Sequence, residues 1–500
     1  MRHAMLELPF DNSYARLPTR FFARLNPTPV AAPRLIKLNV QLARQLGLNP
    51  DLLSSPEGVN MFAGNSVPQG AEPLAMAYAG HQFGVWVPQL GDGRAILLGE
   101  ILDQHGVRFD IQLKGAGPTP FSRRGDGRAW LGPVLREYIV SEAMAALGVP
   151  TTRALAVISS GEVIRREGLM PGAVLTRVAR SHIRIGTFQF FVARQDMDAL
   201  RQLADYVIAR YYPKAASAQA PYLALLDAVV DRQAELVARW QLIGFIHGVM
   251  NTDNMSIAGE SIDYGPCAFM DTYHPETVFS SIDQMGRYAY QNQPHIAQWN
   301  LTCLAQSLLP LINEDEQVAI NRLQAIIDSY SNRFEHAYLG GMRKKLGLSK
   351  ERDGDLALAQ DLLERMAENK ADFTLTFRGL GKLPVKAITD HTKANRPVRD
   401  LFDNPSAFDT WAVAWRQRLA LEASDDHERQ AAMNTVNPAF IPRNHRVEEA
   451  IRAAVEEENF EPFEKLVTVL ANPYNDQPIY SIYATPPRPE EIVQKTFCGT

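Results

Sequence analysis

The stretch "NTDNMSIAGESIDYG", residues 251–265, concentrates polar side chains within a chain of ordinary composition. It contains two aspartates, two asparagines and an Asp-Tyr-Gly, and it follows a long apolar helix pattern that ends in "FIHGVM" (245–250). Carboxylate and amide oxygens are ligands that hard divalent cations prefer, and a carboxylate can also accept a proton from a reacting group. The stretch therefore predicts the metal-binding end of an active site.

The spacing of this stretch matches the catalytic loop of kinases. In that loop a His-x-Asp motif supplies the base, an Asn follows, and a metal-binding Asp-Phe-Gly comes after a short strand pair. Here Asn254 lies seven residues after His247, and Asp263 lies nine residues after Asn254. Val249 occupies the position of the usual base and cannot accept a proton. Asp253 is the nearest carboxylate that could replace it.

Kinase chemistry also needs a lysine that holds phosphates and a helix glutamate that orients this lysine. Lys114 ends the strand pattern "FDIQLK" (109–114), and Glu137 or Glu142 on the following helix pattern could pair with it. A single lysine at a strand end is more often a solvated surface charge, and glutamates on an amphipathic helix usually form its polar face. The assignment of Lys114 as a phosphate-binding residue therefore depends on its combination with the stretch 251–265.

Two glycine turns and two groups of arginines are candidates for phosphate contacts. "GDGRA" occurs at 91–95 and at 125–129, and because a third copy is missing we interpret each copy as a turn near phosphate, not as a repeat unit. Arginine suits bidentate phosphate binding. The two groups are Arg123, Arg124 and Arg128, and Arg177, Arg180 and Arg184.

The order of apolar patterns predicts an α+β fold of the protein-kinase-like, two-lobed type. Strand patterns at 94–102, 107–115 and 153–167 surround a helix pattern at 132–148, and helical periodicity dominates from about 194, as at 197–213 and 222–248. The Ser-Gly centre of the third strand pattern suits a hairpin turn. A strand-rich lobe followed by a helical lobe is the order found in kinases.

These patterns divide the chain into four segments. We predict an N-terminal extension over 1–75, in which 35–48 has helical spacing, and a strand-rich N-lobe with the nucleotide-binding loops over 76–190. A helical C-lobe with the catalytic loop and metal site follows over 191–425. The C-terminal extension, 426–500, has a less regular pattern, and its proline-rich patches, such as 484–489, are expected to be loop or arm.

The composition argues against several other classes of protein. The 500-residue chain has 51 basic and 56 acidic residues and a formal net charge of -5, without the basic excess of many nucleic-acid-binding proteins. No apolar run approaches the ~18 residues of a membrane span, and the first residues lack the apolar stretch of a signal peptide. The three cysteines show no CxxC spacing. We therefore expect a cytoplasmic enzyme without nucleic-acid or membrane partners.

Four long strings carry a resemblance to a known family. They are "YAGHQFGVWVPQLGDGRA" (78–95), "FDIQLKGAGPTPFSRRGDGRAWLGPVLREY" (109–138), "HGVMNTDNMSIAGESIDYGP" (247–266) and "VNPAFIPRNH" (436–445). Over most of the chain, the sequence resembles the selenoprotein O family of protein adenylyltransferase pseudokinases. The resemblance implies a kinase-like fold that binds ATP end for end, so that the α-phosphate faces the acceptor. It further implies transfer of AMP to Ser, Thr or Tyr hydroxyls of proteins, with self-modification possible and pyrophosphate released.

The resemblance also implies roles for individual residues. Asp253 matches the proton acceptor, Asn254 and Asp263 match the ligands of Mg²⁺ or Mn²⁺, and Glu137 matches the helix glutamate. The positions that match nucleotide-binding residues are Gly91, Gly93, Arg94, Lys114, Asp126, Gly127, Arg177 and Arg184, with Glu137 and Asp263 beside them. A reversed nucleotide would explain Val249, because the base need not stand at the usual kinase position.

The C-terminal "TFCGT" places Cys498 where members of this family end in selenocysteine or cysteine, although Gly-Thr follows it in place of the usual Ser-Ser. Some bacterial members tether this end by a disulfide to a cysteine after the Asp-Tyr-Gly. Cys267 is the only cysteine in that neighbourhood. A regulatory disulfide between Cys267 and Cys498 and a set of reduced thiols both remain open.

Three functions are compatible with these residues. An adenylyltransferase is favoured by the family strings and by Val249, with ATP, or alternatively UTP, as the donor. An ordinary phosphotransferase would need a base where the valine stands. A catalytically inactive nucleotide-binding scaffold would be favoured only if the metal ligands were missing.

Overall fold

A computed structural model describes residues 8–312, 315–385, 390–423 and 425–496 of the chain. Its strands are β1 Phe22–Arg24, β2 Arg34–Leu38, β3 Leu74–Met76, β4 Gly80–Gln82, β5 Val85–Val87, β6 Ala95–Leu102, β7 Arg108–Lys114, β8 Ala129–Trp130, β9 Arg153–Arg165, β10 Leu169–Ala179, β11 Phe245–Ile246 and β12 Ala268–Phe269. The main sheet is thus built before residue 180, which confirms a strand-rich N-terminal region.

Helices dominate the rest of the chain, as the sequence predicts. They are α1 Val40–Gln45, α2 Pro50–Leu53, α3 Pro56–Ala63, α4 Leu131–Ala146, α5 Ile185–Val192, α6 Met197–Tyr211, α7 Pro221–Leu242, α8 Gln293–Leu308, α9 Glu316–Lys345, α10 Asp355–Glu368, α11 Phe373–Leu380, α12 His391–Arg399, α13 Pro405–Leu419, α14 Asp426–Asn434, α15 Asn444–Glu456 and α16 Glu461–Leu470. Within the described ranges, no helix is long and apolar enough to span a bilayer.

The main sheet has the strand order β1-β3-β6-β7-β10-β9-β2, with β8 paired to β10, and neighbouring strands run antiparallel. Lys114, the last residue of β7, lies opposite Ala95 of β6 and Leu175 of β10. Arg177 lies opposite Gln112. This register brings Lys114, Arg177 and the turn before Ala95 to the same part of the sheet.

Helix α4 lies between the sheet and the C-terminal helices. Its apolar residues, such as Leu135, share a buried core with Leu175 of β10 on one side and with Val447 and Leu466 of α15 and α16 on the other. A helix that is buried on most sides has apolar residues around its whole circumference. Glu137 is one of the few charged residues that α4 buries. Glu137 therefore needs charged partners, which the candidate active site supplies.

The hairpin turn predicted at the Ser-Gly of 153–167 is wrong. β9 runs continuously through this position, and the turn instead falls between Arg165 and Leu169, before β10. Gly161 has a φ of 70°, and a Cβ there would lie 2.6 Å from the Cβ of Ala32. The glycine is thus required for the close approach of a neighbouring segment and does not mark a turn.

Two other expectations from the sequence need correction. The helical spacing at 35–48 yields a helix only from Val40, after an Asn39 cap, because residues 34–38 extend the sheet as β2 beside β9. The less regular pattern after 425 gave no sign of α14, α15 and α16, which occupy much of the chain up to Leu470, whereas the proline-rich patch 484–489 lies outside α-helices and strands, as expected. The apolar faces of α15 and α16 are buried against α4, and this burial stabilises helices whose local sequence looks irregular.

The metal-binding stretch lies in the loop between β11 and β12, which follow α7 and pair with each other. At the far end of the described chain, Thr496 pairs with Ser280, and its hydroxyl donates a hydrogen bond to the Pro266 carbonyl at 2.5 Å. Cys267 is buried beside this contact. Cys498, and with it the possible disulfide, lies outside the described residues.

Candidate active site

A cavity of about 640 Å³ is enclosed by the ends of β6, β7 and β10 and by the loop between β11 and β12. Most of the residues with predicted roles line this cavity. They are Gly91, Gly93, Arg94, Lys114, Asp126, Gly127, Arg177, Arg184, Asp253, Asn254 and Asp263. Glu137 does not line the cavity and lies behind Lys114, to which it is paired. The structure thus brings together residues that are up to 172 positions apart (Gly91 to Asp263).

The first "GDGRA" turn packs against residues 119–122, which lead into the second "GDGRA" turn, at one side of the cavity. Gly91 adopts a φ of 103°, and a Cβ at this position would lie 2.4 Å from the ring of Phe121 in the second loop. The Thr119 hydroxyl donates a hydrogen bond to the Asp92 carbonyl at 2.7 Å, and the Ser122 hydroxyl donates one to the Gly93 carbonyl. Because the loops meet through glycines, few side chains project from this wall of the cavity. Such a wall allows the backbone to lie close to phosphates.

Asp92, for which the sequence did not predict a role, anchors the first of these turns. Its carboxylate accepts hydrogen bonds from the Met76 N–H at 3.1 Å and from the Gln112 amide at 3.2 Å. Burial raises the pKa of Asp92, and the nearby Arg184 guanidinium acts in the opposite direction. The aspartate between two glycines was the available signal, but its partners on β3 and β7 follow no fixed sequence spacing.

The charged side chains at the end of the sheet form one connected cluster. Lys114 pairs with Glu137, and Arg177 bonds to Glu137 through Nε at 2.9 Å. Arg177 Nη2 also lies 2.9 Å from Oδ1 of Asp263. Arg184 Nη1 donates to Oδ2 of Asp263 at 2.6 Å. Each of these carboxylates therefore contacts at least two cationic groups.

The charges of this cluster determine the ionisation of Asp263. Burial alone would raise its pKa, but the neighbouring Arg184, Arg177 and Lys114 hold the pKa of Asp263 well below its usual range. The pKa of Glu137 follows the same pattern, since the effect of burial is outweighed by Arg177 and Lys114. Both carboxylates are thus ionised at neutral pH, and the surrounding cations exceed them in number. An excess of positive charge in a cavity favours a polyphosphate ligand.

Glu137→Ala should lower the free energy of unfolding by about 3–5 kcal/mol, because it leaves Lys114 and Arg177 buried without their shared partner. Denaturant unfolding followed by circular dichroism measures this change, and isothermal titration with ATP should show a weaker affinity. Glu142→Ala on the same helix is the matched control, since Glu142 pairs with Arg153 and does not line the cavity. Unchanged ATP affinity in Glu137→Ala would contradict the assignment of Glu137 as the residue that orients Lys114.

The catalytic loop places two oxygen-bearing side chains side by side. Thr252–Asn254 form a 3₁₀ turn, and Asn254 Nδ2 lies 3.2 Å from Oδ2 of Asp263, whose φ of 65° is left-handed. Among the described residues, no cluster of three or more His, Cys, Asp or Glu side chains could hold a metal ion. The amide and carboxylate oxygens nevertheless suit Mg²⁺ or Mn²⁺, which often take two protein ligands and complete their shell with phosphate oxygens and water.

Asp253 has a different environment from Asp263. Its side chain lines the cavity although the residue is only 6% exposed, and Gln82 Nε2 donates to Oδ2 at 3.2 Å. Burial raises the pKa of Asp253 to about 6, against the opposing effects of Arg184 and the Gln82 hydrogen bond. A carboxylate with this pKa is ionised at neutral pH and can still accept a proton. Val249 lines the same cavity as an inert side chain.

Some residues singled out in the sequence do not reach the cavity. His247 is buried, with Nε2 2.8 Å from the Ile262 carbonyl, and therefore supports the loop from behind. Arg180 and Arg124 are also absent from the lining, whereas Arg123 and Arg128 contribute to it. Apart from Arg177, these arginines lie in loops, so their spacing in the sequence does not fix which of them face the cavity.

Comparison with known proteins gives a consistent result. A family model described as "Protein adenylyltransferase SelO" matches residues 4–471. The chain is 64% identical over 495 residues to a protein nucleotidyltransferase YdiU of Bradyrhizobium diazoefficiens, with 99% of this chain and 100% of that protein covered. It is 65% identical over 493 residues to a protein of the same name from Methylorubrum extorquens, with 98% of this chain and 99% of that protein covered.

Proposed function

Because the chain belongs to the protein adenylyltransferase SelO family and is therefore a nucleotidyltransferase, we propose that it transfers AMP from ATP to Ser, Thr or Tyr hydroxyls of proteins. One observation carries the finer part of this proposal. The buried carboxylate of Asp253 lines the same cavity as Lys114 and Asp263, while Val249 stands where a kinase would have its base. A base that lies further along the loop than in kinases fits a nucleotide that presents its α-phosphate, and not its γ-phosphate, to the acceptor hydroxyl.

The same cavity supports a kinase-like, two-lobed arrangement as part of the proposal. A strand lysine paired with a helix glutamate, followed by a loop with Asn and Asp-x-Gly, is the set of parts that kinases use. We place the N-lobe at 76–190 and the helical C-lobe at 191–425, with extensions over 1–75 and 426–500. Strands β1 and β2 of the first extension join the main sheet, so this extension is packed onto the N-lobe.

The nucleotide is proposed to bind with its phosphates between the glycine turns and the cationic cluster. Arginine forks and the Lys114 ammonium provide charge-assisted hydrogen bonds to phosphate oxygens. The positions with this role are Gly91, Gly93, Arg94, Lys114, Asp126, Gly127, Arg177 and Arg184. Asp126 accepts hydrogen bonds from both Arg166 and the Arg128 N–H, so it acts through the shape of the second glycine turn.

Asn254 and Asp263 are proposed to hold a divalent cation, Mg²⁺ or Mn²⁺. When bound, such a cation would act as a Lewis acid that offsets the negative charge of the phosphates. Asp263 already lies within hydrogen-bond distance of Arg177 and Arg184, so it links the metal site to the cationic side chains. Glu137 keeps Lys114 and Arg177 in place from behind the cavity wall.

In the proposed reaction, the acceptor oxygen forms a bond to the α-phosphorus, and the bond from this phosphorus to the oxygen of the β-phosphate breaks. Pyrophosphate leaves with the bonding electrons, and the hydroxyl proton passes to the Asp253 carboxylate. AMP remains on the acceptor protein. Protein acceptors in the cytoplasm, including the chain itself, are the proposed partners.

The position of a radioactive label tests this function. The purified protein, incubated with Mg²⁺ or Mn²⁺ and a bacterial lysate, should incorporate label from α-labelled ATP and none from γ-labelled ATP. Chelation of the metal by EDTA should remove the transfer. Incorporation of γ-label would instead show a phosphotransferase, and no incorporation from either nucleotide would favour an inactive scaffold. A stronger signal from α-labelled UTP would retain nucleotidyl transfer but reject ATP as the donor.

A further inference from the structure

The β4–β5 hairpin, residues 80–87, is bound to the catalytic loop at three consecutive positions. The His81 N–H donates to the Thr252 hydroxyl at 2.7 Å, and the Phe83 N–H donates to Oδ1 of Asn251 at 2.9 Å. Between them, Gln82 donates to the Asp253 carboxylate. Three adjacent hairpin residues thus contact three adjacent loop residues, although the two segments are about 170 positions apart in the chain.

The backbone of this hairpin is in direct contact with the loop. A Cβ added to Gly80 would lie 2.7 Å from Oδ1 of Asp253 and 3.1 Å from Oγ1 of Thr252. Phe83 and Gly84 adopt positive φ values of 51° and 81°, which fit a tight two-residue hairpin turn. The hairpin is therefore shaped to touch the loop and is not merely a neighbour of it.

Other contacts keep the hairpin itself in place. The His81 ring lies 2.9 Å from the Gln189 amide and packs against Trp86 and Trp299, with ring centroids 5.0 and 5.3 Å away. The Phe83 ring packs against Tyr288, whose hydroxyl donates to Asn251 at 2.6 Å. A support that is rigid in this way can hold a side chain in one orientation.

Only one oxygen of the Asp253 carboxylate is held by the hairpin. Gln82 binds Oδ2, whereas Oδ1 has no hydrogen-bond partner within the described part of the chain. Arg184 fixes the backbone of Asp253 through its carbonyl at 2.7 Å but does not determine the rotation of the carboxylate. Loss of the Gln82 donor would therefore leave the loop in place but would allow the Asp253 carboxylate to rotate.

We propose that Gln82 is a positioning residue that sets the orientation of the Asp253 carboxylate toward the acceptor hydroxyl. This inference rests on the proposed function, in which Asp253 accepts the proton. Gln82 lines the same cavity, but its hydrogen bond is to the base and not to the groups that surround the phosphates, so its role follows nucleotide binding. Its removal lowers kcat and leaves KM for ATP unchanged.

Steady-state transfer from α-labelled ATP tests the inference in Gln82→Ala and Gln82→Glu. Both variants should lose about 10- to 100-fold in kcat, as expected for a lost hydrogen bond to a charged group at a reacting centre, with KM for ATP within about twofold. Gln82→Glu keeps the side-chain size but exchanges the donor amide for a carboxylate that repels Asp253, whereas Gln82→Ala removes the donor without adding charge. Gln104→Ala, in an exposed turn outside the cavity, is the matched control.

A second measurement combines Gln82→Ala with Asp253→Ala. If Gln82 acts through Asp253, the double variant should be no slower than Asp253→Ala alone, because the carboxylate to be positioned is already gone. Additive losses, or wild-type kcat in Gln82→Glu, would overturn the inference while wild-type transfer of α-label still supports the proposed function. Absence of α-label transfer in the wild type would overturn both. Thermal unfolding of each variant, compared with Gln104→Ala, separates misfolding from loss of positioning.

Discussion

Asp263→Asn is expected to lower the rate of α-label transfer by about 10³-fold or more, since a metal-bound carboxylate supplies several kcal/mol of stabilisation to developing charge. The amide keeps the shape of the side chain but removes the charge that Arg177 and Arg184 contact. Single-turnover transfer with saturating ATP and Mg²⁺ or Mn²⁺ measures the loss. The variant should also require a higher metal concentration for its residual activity.

Asp271→Asn provides a matched control for this change. Asp271 is a largely buried aspartate that pairs with Arg443 and does not line the cavity. Its substitution should lower the melting temperature, as breaking a buried ion pair does, with little effect on transfer by the folded protein. Near wild-type transfer by Asp263→Asn, with the same metal requirement, would reject Asp263 as a metal ligand.

Asp253→Ala is expected to lower kcat by about 10²- to 10⁴-fold, the range that general-base catalysis contributes. The affinity for ATP should survive, because Lys114, the arginines and the proposed metal ligands remain in place. Isothermal titration with ATP and transfer assays on the same preparation measure both quantities. Full activity in Asp253→Ala would show that the hydroxyl proton leaves by another route, such as a phosphate oxygen, and would remove Asp253 from the mechanism.

Local sequence patterns located those candidate residues whose position follows from their neighbours in the chain. Lys114 could be placed because a strand pattern ends there, and Asn254 and Asp263 because their spacing is fixed by one short loop. Residue patterns alone left Glu137 and Glu142 open, since both lie on the same helix and only packing decides which one reaches Lys114. The family resemblance pointed to Glu137.

Contacts between distant segments explain what the sequence patterns missed. Gly161 was interpreted as a turn because nothing local shows that Ala32 lies against it. Helices α15 and α16 are stabilised by burial against α4, a contact that local patterns do not reveal. Gln82 and Asp92 both lie in the string 78–95, but their partners on the loop and in the sheet follow no fixed sequence spacing, so local patterns assigned neither residue a role.

The packing of α15 and α16 on α4 affects how the chain folds during its synthesis. Arg136 on α4 bonds to Asn444, 308 positions later, so the outer face of this helix has no cover until the ribosome has made most of the chain. During translation the nascent N-terminal part exposes apolar surface, the condition under which chaperones are needed. A contact across so long a stretch of chain also makes folding slow. The helix that carries Glu137 is therefore fully packed only after α15 and α16 have been synthesised.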